Sequence, residues 1–349
     1  MPDLKRIAFA LALGSVGGGL FYLAHIPLPW MLGALFATMI AAVARAPVLA
    51  PSGMRPAVVA VIGVLLGSRF TPEVLTQAGA WIGTVTILMV YVVAVALIVV
   101  PFLRFAGKLD WTTAYFAGMP GGLSEMIEIG EAKGGQAAPI ILAHSLRIVV
   151  TIALIAFWFS IVQGQVVGRT FVAHGVPLSW GDAALLMGCA VFGSWIGIKL
   201  RLTAPTLLGP MILSAALHLT GVTASTPPPL LVNAAQVILG TVLGCRFYGI
   251  APAALWRAGV LSIAATLLTL VLAFVAGLVM RATTGVGVDQ AILALAPGGL
   301  TEMGLIAIAI HADVAFVALH HVIRILFVLM VAPLAFRLVE SRWGKRGDR

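Results

Sequence analysis

Two carboxylates, Glu125 and Glu302, occupy the same place in a seven-residue motif that occurs twice, as PGGLSEM at 120–126 and PGGLTEM at 297–303. Each follows a Pro-Gly-Gly break, where proline lacks its donor and paired glycines favour non-helical backbone. A helix that restarts after the break presents unsatisfied N–H groups and the positive end of its dipole, which can hold a carboxylate at membrane depth. The chemistry available there is proton or cation binding, or gating. Completing the helix turn is the plainer role. The hydroxyls of Ser124 and Thr301 can cap the new helix or face a cavity. The amides of Gly121, Gly122, Gly298 and Gly299 can bind an anion, as helix N-termini do.

A second set of charged groups recurs at the same offset of 177 residues, in a chain of 349. Arg147 and Arg324 lie in long apolar runs, with His144 and His321 three residues earlier on the same helical face. A guanidinium inside a membrane helix must find a carboxylate, a carbonyl, water or a ligand, and the neighbouring motif glutamate is the expected partner. The histidines can relay protons near neutral pH or serve as hydrogen-bonded core groups. Arg69 and Arg246 recur in Gly-x-Arg-Phe settings, where snorkelling to the interface competes with contact to a substrate. His and Met residues near the motifs lack metal-ligand helical spacing, so no metal site and no cofactor are expected. Cys189 and Cys245 read as small packing residues.

These groups need elements to hold them. A tandem duplication is read over the whole chain: a first repeat at 1–165, a linker at 166–180, a second repeat at 181–337 and a basic tail at 338–349. The hydrophobic fraction is 61%, charged residues are 9% and mean hydropathy is +1.10, far from a soluble domain. The expected fold is an all-α polytopic membrane protein. In the first repeat, spans are expected near 6–24, 29–44, 55–69, 80–103 and 137–163. In the second they fall near 181–198, 204–221, 229–247, 254–280 and 313–336. Each repeat then has five crossings plus a re-entrant or broken helix at its motif, 111–133 and 288–311. Each motif arm is about half a bilayer long.

Charge decides between re-entry and full crossing. With re-entrant motifs, 16 of the 21 Lys and Arg residues fall on the side of the N-terminus; with crossing motifs, 13 do. Retention of positive charge on the cytoplasmic side favours the first arrangement, with both termini cytoplasmic in the cell inner membrane. Five crossings is an odd number, so the two repeats are expected to be inverted. A net charge of +9 fits an anionic lipid surface. No inter-span segment exceeds about 20 polar residues, which is too little for a DNA-binding domain. Direct nucleic-acid binding is therefore not expected; homo-oligomerisation is left open.

Two hydrophobic copies, each with PGGL[ST]EM followed by a His-x-x-Arg helix, resemble the AbrB membrane-protein family over essentially the whole chain. That family shares only a name with the soluble DNA-binding transition-state regulator. The resemblance implies a duplicated module that also occurs singly. Members carry the labels regulator of gene expression or ammonia monooxygenase, neither of which assigns residues. The residues themselves favour a secondary transporter of a small, weakly preferred anionic solute at the two breaks. The alternatives are a membrane-embedded sensor acting through a partner protein and a metal-dependent membrane oxidase. No enzymatic activity is expected.

Overall fold

Helices begin where proline can be a first residue and stop where a residue adopts left-handed backbone. The computed structural model describes residues 2–70, 81–164 and 178–343. Among these residues there are fourteen α-helices and no strand. They are α1 Pro2–Leu23, α2 Pro29–Val43, α3 Arg55–Gly67, α4 Trp81–Phe105, α5 Trp111–Gly118, α6 Leu123–Ala132 and α7 Ala137–Phe157. There follow α8 Trp180–Lys199, α9 Pro205–Leu219, α10 Pro229–Cys245, α11 Pro252–Thr284, α12 Val288–Leu295, α13 Leu300–Ala309 and α14 Val314–Trp343.

Among the described residues, six segments are long and apolar enough to cross a membrane: Asp3–Leu23, Trp81–Phe105, Ala137–Val162, Trp180–Lys199, Pro252–Thr284 and Val314–Leu338. The chain is a helical membrane protein. The other four expected spans differ from the reading above. Helices α2, α3, α9 and α10 have 15, 13, 15 and 17 residues, short of the roughly 20 that an upright crossing needs. Prolines cut them at their starts, and much of their apolar surface is buried, although Ile40, Ile212 and Leu230 are exposed. In α3, every residue from Val58 to Gly67 except Val61 is buried.

The chain forms two compact units. The first comprises Met1–Gln77, Ala153–Pro252 and Gly304–Ala315; the second comprises Ala78–Ile152, Ala253–Met303 and Phe316–Arg349. Each draws on both sequence copies.

In the first unit α2 packs on α1 and α10, while α9 packs on α8 and α3. Glycines permit these approaches: a side chain on Gly63 would overlap the Leu207 carbonyl, and one on Gly240 would overlap the Met31 carbonyl. Gly67 meets the Met211 carbonyl in the same way, and Gly244 the Leu35 carbonyl. Small residues serve here as they do generally in membrane helix packing.

The second unit holds both seven-residue motifs, while residues 304–311 of the second motif region belong to the first unit. Its α4 packs on α5, and Tyr115 of α5 donates to the Ala332 carbonyl of α14 at 2.8 Å. Tyr115, Phe116 and Phe336 form an aromatic cluster with ring centroids 5.1 to 5.2 Å apart. Asp110 caps α5 by accepting from the Thr113 amide at 2.8 Å. Beyond the end of α6, the Gln136 amide donates to Thr113 Oγ1 at 2.8 Å, and Gln136 Nε2 donates to Asp110 Oδ2 at 3.3 Å. The start of the first arm and the end of the second are therefore tied together.

Left-handed residues recur at matching positions of the two copies: His25 and Arg201, Arg45 and Gly221, Lys108 and Gly285, Gly134 and His311. Residue 165, residues 166–177 of the linker and 344–349 of the tail lie outside the described residues, as does the side chain of Ser124.

Candidate functional site

The first motif separates two short helices. Helix α5 stops at Gly118 and α6 starts at Leu123, with Gly122 as N-cap. In the second copy α12 stops at Leu295 and α13 starts at Leu300. Each break leaves the carbonyls of a first arm and the amides of a second arm without helical partners.

Arg147 supplies donors to the first arm. Its Nη1 donates to the Met119 carbonyl at 2.9 Å, and its Nη2 donates to Nδ1 of His144 at 2.8 Å. His144 Nε2 donates in turn to the Phe116 carbonyl at 2.8 Å. The second copy repeats the arrangement at equivalent positions. Arg324 Nη1 donates to the carbonyls of Ala296 and, at 3.3 Å, Leu295; Nη2 donates to Gly298 at 3.2 Å and to His321 Nδ1 at 3.1 Å. His321 Nε2 donates to the Leu293 carbonyl at 2.9 Å.

A cation beside the carbonyl end of a helix is favourably placed against the dipole. The guanidiniums thus bind helix ends and histidine, where a motif glutamate was the expected partner. The contacts also specify the histidine tautomer: Nε2 carries the hydrogen and Nδ1 accepts. With both nitrogens engaged, and a guanidinium donor on one of them, the ring is arranged to orient arginine.

The glutamates go to the second arms. Glu125 stands at the third position of α6, and its carboxylate folds back to the place where a side chain on Gly122 would project. Glu302 does the same at Gly299. This is the place that the glutamate of a capping box takes, back toward the start of its own helix. Glycine at the N-cap leaves room for it. The amide ends proposed for an anion are thus lined by the chain's own carboxylates. Thr301 and Glu302 are buried, while Glu125 is half-buried.

His144, His321 and Arg324 are buried, at 1%, 0% and 3% exposure. Arg147 is less enclosed, although its Nε is buried without a hydrogen-bond partner. A cavity of about 20 Å³ adjoins it, lined by the motif prolines Pro120 and Pro297 and by Ser262, Thr266 and Thr269 of α11. The sequence reading passed over these three hydroxyls. Their spacing of four and then three residues places them along one helical face, which was the available signal.

A larger groove of about 250 Å³ is lined by apolar residues such as Val92, Leu97 and Phe327, together with Trp111 and Tyr115. Its chemistry suits hydrocarbon. Arg69 and Arg246 belong to the first compact unit, just beyond the ends of α3 and α10, where both are half-buried. The motif set and these two arginines therefore fall in different units.

A family model described as "Transition state regulatory protein AbrB" matches residues 30–340. The chain is 25% identical over 373 residues to "Uncharacterized protein YhjN" of Bacillus subtilis (strain 168), covering 99% of this chain and 96% of that protein. It is also 25% identical over 358 residues to "Putative regulator AbrB" of Escherichia coli (strain K12), covering 99% of each.

Proposed function

The chain belongs to the AbrB family, and from that premise we propose that it is a secondary transporter of a small, preferentially anionic solute, with its site at the two Pro-Gly-Gly breaks. The observation that carries this reading is the paired placement of charge at interrupted helices. Each first arm has an arginine at its carbonyl end, and each second arm has a glutamate at its amide end. Broken helices with charged ends at membrane depth are how transporters present ligands with polar backbone without exposing it to lipid.

Re-entry of the first motif region is supported by the Asp110, Thr113 and Gln136 contacts, because its two ends lie within hydrogen-bonding distance. A pseudo-twofold relation between the repeats is supported by reciprocal packing. Gly63 meets Leu207 as Gly240 meets Met31, the exchange of partners expected of an isologous arrangement. Inversion rests on the odd number of helices per repeat that are long enough to cross, three in each among the described residues: Asp3–Leu23, Trp81–Phe105 and Ala137–Val162, then Trp180–Lys199, Pro252–Thr284 and Val314–Leu338. In the working cycle, solute or proton competes with the carboxylates for the second-arm ends, and the arginines attract the solute. The protein acts without covalent catalysis.

Reconstituted Glu125→Gln and Glu302→Gln proteins test this. They are expected to fold and to lose or alter transport; normal transport by both at every pH would refute the site.

A second reading is favoured by the name of the Escherichia coli relative: a membrane-embedded regulator acting through a partner. It predicts that deletion of 338–349 changes gene expression while charge substitutions at the breaks do not.

A further inference from the structure

The two copies of the arginine site have diverged, and the divergence identifies a ligand position. Arg324 is enclosed and gives its terminal nitrogens to three carbonyls and to His321. Arg147 reaches one carbonyl and His144, and it borders the 20 Å³ cavity.

The rest of the polar lining of that cavity is also one-sided. Ser262, Thr266 and Thr269 line it with hydroxyls, whereas the residues 177 positions earlier are Val85, Met89 and Val92. Thr269 donates its hydrogen to the Ala265 carbonyl at 2.8 Å, as threonine in an apolar helix commonly does. Thr266 is different: it is 1% exposed and its Oγ1 has no hydrogen-bond partner. An unpartnered buried hydroxyl is costly. Here it lines the same small cavity as the Arg147 guanidinium, whose Nε, like that of Arg324, has no partner; that cavity is what the Arg324 site lacks.

Resting on the transporter reading above, we infer that Arg147, Ser262 and Thr266 form the binding position for a compact monoanion of halide, nitrate or formate size, beside Pro120 and Pro297. The guanidinium supplies charge and a donor, and the hydroxyls supply further donors. The cavity exceeds the roughly 10–15 Å³ that a single water requires, and it excludes bulky carboxylates. Arg324, enclosed by carbonyls, holds its helix arm and leaves the ligand to Arg147. Both prolines line the cavity, so an occupant there bears on both breaks at once.

The test uses full-length protein in lipid nanodiscs and follows thermal unfolding by intrinsic tryptophan fluorescence. Sodium chloride, nitrate and formate are titrated at constant ionic strength against sodium gluconate. A ligand that binds only the folded state raises the unfolding temperature, with a stabilisation that grows as the logarithm of one plus the ratio of ligand concentration to Kd. The inference predicts stabilisation of the wild type by at least one compact anion. Apparent affinity should be about fivefold weaker in the nearly isosteric Thr266→Val variant, the loss of one hydrogen bond. It should weaken further when Ser262→Ala is added.

Arg147→Gln should abolish the response. Should it not fold, the hydroxyl variants decide the matter. Equal stabilisation of wild type and Thr266→Val, Ser262→Ala protein, or no stabilisation by any compact anion, overturns the site. Binding without anion flux in proteoliposomes would retain this site and overturn the transporter reading. Flux indifferent to Thr266→Val, Ser262→Ala would do the reverse.

Discussion

Arg147 donates to Nδ1 of His144 at 2.8 Å while the same imidazole donates from Nε2 to the Phe116 carbonyl at 2.8 Å. One residue pair on α7 thereby fastens the end of α5, and Arg324 with His321 does the same for α12. The His-x-x-Arg spacing is what makes this work, since residues three apart share a helical face.

Replacing the histidine should therefore affect stability first. His144→Phe and His321→Phe leave an arginine N–H and a carbonyl unpaired in a buried setting, at a cost of about 1–3 kcal/mol each. Thermal unfolding should show the loss, and the pH dependence of transport by the surviving folded protein should keep its shape. Wild-type stability with a displaced pH profile would identify the histidines as proton relays instead.

Gly122→Ala and Gly299→Ala put a methyl where the Glu125 and Glu302 carboxylates lie. Displacing the glutamate removes part of a helix cap, typically worth about 1 kcal/mol. Each glycine variant should reproduce the transport defect of the glutamate-to-glutamine change in the same copy. Normal transport by the glycine variants would separate the carboxylate position from function.

The motif, its duplication and the buried His-x-x-Arg pairs were legible in the sequence because they combine rare polar residues with fixed spacing in apolar surroundings. The partner of each arginine was not. Ala296 and Met119 contribute backbone carbonyls, which no letter of the sequence announces. Thr266 escaped notice for a related reason: threonine in an apolar helix usually bonds its own backbone, as Thr269 does. Helices α2, α3, α9 and α10 were read as upright crossings from their composition, which does not tell a short apolar helix from a long one. Length was the discriminating feature, and prolines and left-handed turns set it.

The two arginines should respond differently to lysine. Lysine keeps the charge but loses the planar fork that reaches several acceptors. Arg324→Lys forfeits contacts to three carbonyls and should lower stability by about 1–3 kcal/mol. Arg147→Lys should unfold at a higher temperature than Arg324→Lys yet show the greater change in anion selectivity. Equal stability and equal selectivity in the two variants would contradict the assigned division of roles.

In the first unit, Gly244→Ala drives a methyl into the Leu35 carbonyl and Thr38 Oγ1, and Gly63→Ala drives one into the Leu207 carbonyl. Overpacking of this kind costs about 1–3 kcal/mol. At Gly19 nothing lies within 4 Å of the added methyl, so Gly19→Ala should be neutral or stabilising by up to about 1 kcal/mol. Unfolding temperatures in one detergent compare all three; similar values would mean that the close helix contacts do not govern stability.

The most direct test of the transport claim is current recording from reconstituted protein on a solid-supported membrane. Compact anions are applied with and without a pH step, comparing wild type with the folded Glu125→Gln, Glu302→Gln double variant. A transient current that the wild type gives and the double variant lacks is the predicted result. Identical currents from both proteins at every pH would contradict the account.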